Sequence, residues 1–202
     1  PPGPEQLFED ALGLYIRTAG RHRLEAEVSW KPQTASEEDK MKQVVDIVTN
    51  AANQGHLRSQ LYLASTFQIG LGVAQDHKKA AQWLRKGANQ GVVASQYDLA
   101  NMHYTGEGIT QDFKEAARWY HKAADQGDTD AQLNLGEMYQ DGKGVAKDYS
   151  EAARWFRKAA AQGQVSAQFH LGLMCQGGEG VAQDDEEAMR WFRKAADQGL
   201  AD

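Results

Sequence analysis

Cysteine is nearly missing from this chain: Cys175 is its only one. An internal disulfide is excluded, and no CxxC pattern exists to hold a metal or run redox chemistry. Proline is scarce too. Three of the four prolines fall in Pro1–Pro4, which reads as a stiff, exposed leader. The rest of the chain is therefore free to be helical. No apolar run approaches the ~20 residues that span a bilayer, so membrane insertion is not expected. The net charge of −6 repels phosphate backbones, which argues against nucleic acid as a partner.

Motifs for chemistry are missing as well. Paired-glycine turns occur, but neither GxGxxG nor GxxxxGK[ST] does, and no βαβ pattern surrounds the turns. None of the six histidines (His22, His56, His77, His103, His121, His170) forms an HxxxH pair or joins a cysteine at metal spacing. No cofactor or metal is expected.

What is present is a period. Gly55, Gly91, Gly127, Gly163 and Gly199 stand 36 residues apart, each preceded by Gln. Trp83, Trp119, Trp155 and Trp191 recur at the same spacing, as do Asp76, Asp112, Asp148 and Asp184, and Gln60, Gln96, Gln132 and Gln168. So many columns in register define four full units over 55–198: 55–90, 91–126, 127–162 and 163–198.

In the unit 127–162, Ala131, Leu135, Met138 and Tyr139 are spaced i, i+4, i+7, i+8 and mark one helix face. Gly136 flanks that face and allows close approach of a neighbour. The turn Asp141-Gly142-Lys143-Gly144-Val145 suits positive φ, with Val145 plugging the gap beneath. Asp148 then caps a second helix, and Glu151 completes a capping box, as Glu115 and Glu187 do in their units. Lys79 replaces that Glu in the first unit. Ala152, Trp155, Phe156, Ala159 and Ala160 form the buried stripe, with the aromatics filling the space between units. Gly163 ends the helix. One helix pair cannot bury its apolar face alone, so the units must stack.

These residues resemble the Sel-one-like repeat family, a relative of the tetratricopeptide repeat. The resemblance runs through Ala131, Leu135, Gly136, Tyr139, Gly142, Gly144, Val145, Asp148, Ala152, Trp155, Phe156, Ala159, Ala160 and Gly163, and covers residues 55–199. It implies an all-α fold: a right-handed superhelical α-solenoid of antiparallel helix pairs. Residues 36–54 match a second helix through Val44, Ile47, Val48, Ala51 and Ala52. Residues 1–35 do not match and are expected to form an N-terminal cap. Leu7, Phe8, Ala11, Leu12 and Tyr15 make a helical pattern there, whereas Leu24, Ala26, Val28 and Trp30 alternate as in an extended segment. Residues 199–202 read as the opening of a further unit, leaving the last helix uncovered around Phe192, Ala195 and Ala196.

The resemblance also implies a non-enzymatic scaffold that assembles other proteins. In bacteria such proteins serve host interaction, envelope assembly, signalling or toxin immunity. The near-consensus units look bacterial, and a periplasmic or secreted setting is favoured over the cytoplasm. Two alternatives stand beside this. Some cysteine-rich relatives carry a β-lactamase label, but this chain lacks their paired cysteines and the SxxK, SDN and KTG set. Self-association through the uncovered last unit is the other.

Candidate partner-binding residues lie where the units differ. On each first helix, positions 4, 7, 8, 11, 14 and 15 point away from the core stripe. The candidates are Tyr62, Tyr97, Asp98, Asn101, Tyr104, Leu133, Asn134, Glu137, Phe169, His170 and Leu173. In related solenoids the first helices line the concave surface, and apolar residues ringed by polar ones there mark a groove. Position 7 (Leu61, Tyr97, Leu133, Phe169) is also explained by packing between neighbouring first helices. All candidates sit outside the core stripe, so changing them is expected to spare folding. His103 and Cys175 occupy the Tyr139 column and read as packing substitutions. Arg85/Lys86, His121/Lys122, Arg157/Lys158 and Arg193/Lys194 form a basic row, read as a solvated convex face rather than an anion site.

Overall fold

The computed structural model describes residues 2–19 and 34–199. The segment holding Leu24, Ala26, Val28 and Trp30, and the residues 200–202, lie outside the described part. Within it, all regular structure is helical: α1 (Pro4–Ala19), α2 (Ala35–Asn53), α3 (Leu57–Ile69), α4 (His77–Asn89), α5 (Val93–Thr105), α6 (Phe113–Asp125), α7 (Thr129–Asp141), α8 (Tyr149–Ala161), α9 (Val165–Gly177) and α10 (Asp185–Ala196). First helices start at Leu57, Val93, Thr129 and Val165, and second helices at His77, Phe113, Tyr149 and Asp185, so the 36-residue period of the sequence is the period of the fold. The result is an α-solenoid of helix pairs.

The chain divides into two compact units, Pro1–Ser95 with Glu107–Ile109, and Gln96–Gly106 with Thr110–Asp202. In unit 1, Phe8, Ala11 and Tyr15 of α1 are buried against Met41, Val44, Val45 and Val48 of α2 and Leu63 and Phe67 of α3. In unit 2, Phe156, Ala159 and Ala160 of α8 pack with Leu171, Met174 and Cys175 of α9 and Ala188 of α10.

The recurring aspartates do more than cap. Asp148 accepts from the Glu151 N–H at 3.0 Å, and its own N–H donates to the Tyr139 carbonyl at 2.9 Å. Asp112 does the same with Glu115 and His103, Asp184 with Glu187 and Cys175, and Asp76 with Lys79 and Phe67. Each aspartate thus ties the start of a second helix to the end of its first. The reciprocal half of the capping box does not form, because the cap N–H is already taken. The glutamates turn elsewhere: Glu115 to Arg118 and Glu151 to Arg154, both at 3.1 Å, and Glu187 accepts from Trp191 Nε1 at 3.2 Å.

The turn glycines are needed for two reasons at once. Gly142 and Gly144 have φ of 72° and 71°, and a Cβ on Gly144 would lie 2.1 Å from the Phe113 carbonyl oxygen. The turn therefore rests directly on the backbone that opens α6. Gly136 is the close-approach site expected of it: a Cβ there would sit 2.6 Å from the Phe156 ring.

The glutamine columns form buried ladders. Gln132 Nε2 donates to the Ala124 carbonyl at 3.0 Å, and its Oε1 accepts from Gln162 Nε2 at 2.9 Å. Gln168 repeats this with Ala160 and Gln198, and Gln60 with Ala52 and Gln90. Each ladder adds a second hydrogen bond to a helix-end carbonyl that already accepts a backbone N–H, and ties it to the glutamine 30 residues on.

The last helix departs from expectation. Phe192 packs on Phe169, with ring centres 5.6 Å apart, and Ala195 is buried. The open side of α10 carries Trp191 instead, in a groove of about 590 Å³ with Glu187, Arg190, Arg193, Lys194 and Asp197. The reason is helical geometry: Trp and Phe are adjacent in sequence and point ~100° apart. The Phe faces its own first helix, leaving the Trp to face outward.

Candidate functional site

In unit 2 the outer edges of α5, α7 and α9 carry ten of the eleven candidate residues. Four of them gather around a residue that the sequence reading missed, Tyr120 of α6. Its ring is buried, and it packs on Tyr97 at 5.8 Å and Tyr104 at 6.5 Å between ring centres. Its hydroxyl donates to Asn101 Oδ1 and hydrogen-bonds with Asn134. Burial pushes the phenol well above its usual range, so it stays neutral. The signal was in its column: Leu84, Tyr120, Phe156 and Phe192 contain a single hydroxyl. A buried hydroxyl needs a partner, and Asn101 and Asn134 supply it.

Farther along, His170 stacks on Phe156 with ring centres 4.8 Å apart and planes 5° from parallel. Its Nε2 lies 3.6 Å from Glu137 Oε1. Glu137 has its carboxyl pushed upward, chiefly by burial, with His170 offsetting part of the effect. Asp98 is also pushed upward, by burial first and then by the like charge of Asp128. Tyr104 packs edge-on to Phe113, and Lys143 approaches its hydroxyl at 3.4 Å. Phe169 and Leu173, one turn apart on α9, are 43% and 44% exposed. Leu133 packs against the core, the alternative open for position 7.

Two expectations need correction. Tyr62 does not stand open as expected: its hydroxyl is buried. It lies in unit 1, where Phe8 and Tyr15 of α1 stand edge-on to its ring at 6.3 and 6.5 Å. Burial raises its phenol to about 12. Nor are the candidates independent of folding. Tyr97, His170 and Phe169 rest on Tyr120, Phe156 and Phe192, because a first-helix side chain that leaves its own stripe meets the aromatic of the adjoining second helix.

The basic row is not simply solvated either. Lys86, Lys122, Lys158 and Lys194 lie over the rings of Trp83, Trp119, Trp155 and Trp191. Among the described residues no group of three His, Cys, Asp or Glu side chains is placed to hold a metal ion, and no helix is long and apolar enough to cross a membrane. Cys175 is buried, and burial raises its thiol, which leaves it a packing group.

The repeating frame has known relatives. A model of the Sel1 repeat matches four consecutive copies, residues 57–92, 93–128, 129–164 and 165–200. A search of curated proteins found no match. Among solved structures, the chain is similar to c5321, a protective antigen of uropathogenic Escherichia coli with an SLR fold. The TM-score is 0.77 at 31% identity, over 98% of this chain and 42% of that one. This chain therefore spans less than half the length of that relative. It is also similar to a Sel1 repeat protein from Oxalobacter formigenes, with a TM-score of 0.73 at 23% identity, over 95% and 85% of the two chains. With four consecutive copies matched over most of its length and the helix-pair frame they specify, the chain belongs to the Sel1 repeat family, whose members are generally protein-interaction scaffolds.

Proposed function

We propose that this chain is a non-enzymatic scaffold that binds a protein or peptide along the outer edges of α5, α7 and α9 in unit 2. One contrast carries the reading. The Asp caps, Gln ladders and Trp–Lys pairs repeat from unit to unit. On this edge, by contrast, each unit presents different chemistry: Tyr97 and Asp98, then Asn134 and Glu137, then Phe169, His170 and Leu173. Exposed apolar side chains beside half-buried polar ones are what an interface core and its rim require. The likeness to c5321, a protective antigen of uropathogenic Escherichia coli, supports a bacterial origin. The buried, raised thiol of Cys175 gives no support to a hydrolase reading.

The test is to recover the partner by pull-down and measure its affinity. Phe169→Ser with Leu173→Ser, both at exposed positions, is expected to weaken binding tenfold or more, about 1.4 kcal/mol. Arg157→Ala on α8 is expected to leave it unchanged. The opposite pattern would move the binding site to the second helices.

A further inference from the structure

Unit 1 shows how a helix occupies the edge of a first helix. Arg58 and Tyr62, at positions 4 and 8 of their repeat, are both contacted by α1. Arg58 pairs with Glu5 at 3.5 Å and Glu9 at 3.1 Å, and its guanidinium lies 4.7 Å over the Phe8 ring. Glu5 also reaches His56 Nε2 at 2.6 Å. Phe8 and Tyr15 cover Tyr62. The occupant is thus an amphipathic helix with an aromatic edge for the ring and an acidic edge for the cation.

In unit 2 the corresponding edge has the opposite charge. Helices α5, α7 and α9 carry Asp98, Asp130, Glu137 and Asp141, and no Lys or Arg. Cationic side chains sit on the second helices, three each on α6, α8 and α10. Lys143, in the turn after α7, is already paired with Asp141 at 3.1 Å. Asp98, at position 8 where unit 1 has Tyr62, has the like charge of Asp128 nearby and makes no ion pair among the described residues. Among the described residues Glu137 pairs with His170, at 3.6 Å, with the charge of Lys143 nearby. Exposed apolar anchors lie on the same edge at Phe169 and Leu173.

We infer that the partner seated on α5, α7 and α9 is an amphipathic helix with an aromatic or aliphatic edge beside a basic one, the charge-reversed counterpart of α1 on α3. This deepens the proposed function and rests on it. A lysine or arginine on such a helix supplies an opposite charge to Asp98 and adds to the charges of His170 and Lys143 near Glu137. Closure of the interface excludes water, which strengthens the pairing.

The probe is the 16-residue α1 sequence as a labelled peptide carrying Glu5→Lys, Glu9→Lys and Asp10→Lys, compared with the unaltered peptide. Affinity for the full chain is measured by fluorescence anisotropy, and the site is mapped by amide shifts. The lysine peptide is expected to bind at least tenfold more tightly than the acidic one and to shift amides of α5, α7 and α9. Asp98→Asn with Glu137→Gln, both isosteric, is expected to remove at least tenfold of that affinity while leaving the helical spectrum and melting temperature intact or raised. Equal affinity for both peptides, no binding of the lysine peptide, or no effect of the isosteric pair overturns the inference. If Phe169→Ser with Leu173→Ser abolishes binding while the isosteric pair does not, the binding face stands and only its charge preference fails. If neither pair matters and the shifts fall on α6, α8 and α10, the proposed face fails as well.

Discussion

Lys158 Nζ lies 3.8 Å from the centre of the Trp155 ring, one helical turn away on α8. The same pairing recurs at Lys122 over Trp119 and Lys194 over Trp191, at 4.0 and 4.3 Å. The ring fills the gap between second helices, where His121 of α6 stands edge-on to Trp155 at 5.1 Å. The lysine stem packs along that ring and sets its charge over the ring face.

Lys158→Ala is therefore expected to cost about 1–2 kcal/mol, through lost cation–π attraction and lost cover over the ring. Arg157→Ala, an exposed neighbour with no ring beneath it, is expected to stay within about 0.5 kcal/mol. Urea denaturation of the two variants checks this.

The tryptophan column is graded by position. Trp119 is 2% exposed between interior helices, whereas Trp191 lines an open groove. Trp119→Ala is expected to cost ~3–5 kcal/mol. Trp191→Ala should cost clearly less, having less surface to uncover. Equal losses in chemical denaturation would contradict a nearest-neighbour stack.

Two glycines with positive φ separate conformational cost from steric cost. Gly127, at φ 96°, has open space around a would-be Cβ, so Gly127→Ala should cost only the left-handed penalty of about 1–2 kcal/mol. Gly144→Ala meets the Phe113 backbone as well and is expected to lose more than Gly127→Ala, with the α6–turn contact displaced. Thermal melts of the two proteins, compared directly, give the difference.

Gln132 is expected to tolerate neither truncation nor charge. Gln132→Ala removes one of the hydrogen bonds at the Ala124 carbonyl and one of those made by the Gln162 amide, at about 1–3 kcal/mol together. Gln132→Glu keeps the shape but buries a carboxylate and loses the donor to Ala124. Its destabilisation should shrink as pH falls and the carboxyl is protonated, whereas that of Gln132→Ala should not.

Glu137 makes a pH prediction of its own. Its folded carboxyl is raised above the unfolded value, so folding favours the protonated form. The stability this brings is present below the ordinary carboxylate range and is lost as pH rises through the raised folded value. Glu137→Gln is thus expected to equal or exceed the parent in stability at neutral pH, with the difference closing in acid. Denaturation midpoints at several pH values test this. Loss of partner affinity without loss of stability would mark Glu137 as kept for binding.

The sequence by itself determined the frame. A 36-residue recurrence of Gly, Gln, Asp and Trp specifies where each helix starts and stops, because caps and turns are local chemistry read within a few residues. It marked Gly136 as a point of close approach and Cys175 as packing. It also marked the columns that vary, and with them most of the candidate face.

Only the tertiary structure decided what those columns touch. Tyr62 and Tyr97 stand in adjacent columns of successive repeats, positions 8 and 7, and read alike as exposed aromatics. The first is closed off by α1, and the second rests on Tyr120. Glu151 fits a capping box by spacing, yet the Asp148 N–H is taken by Tyr139, a partner outside the helix it caps. The glutamines recur visibly, but their ladders join residues 30 apart. The lysines look solvated until the rings beneath them are placed. The physical reason is the same in each case. Periodicity states which way a side chain leaves its own helix, while burial, hydrogen-bond partners and charge environment depend on which neighbouring helix it then meets.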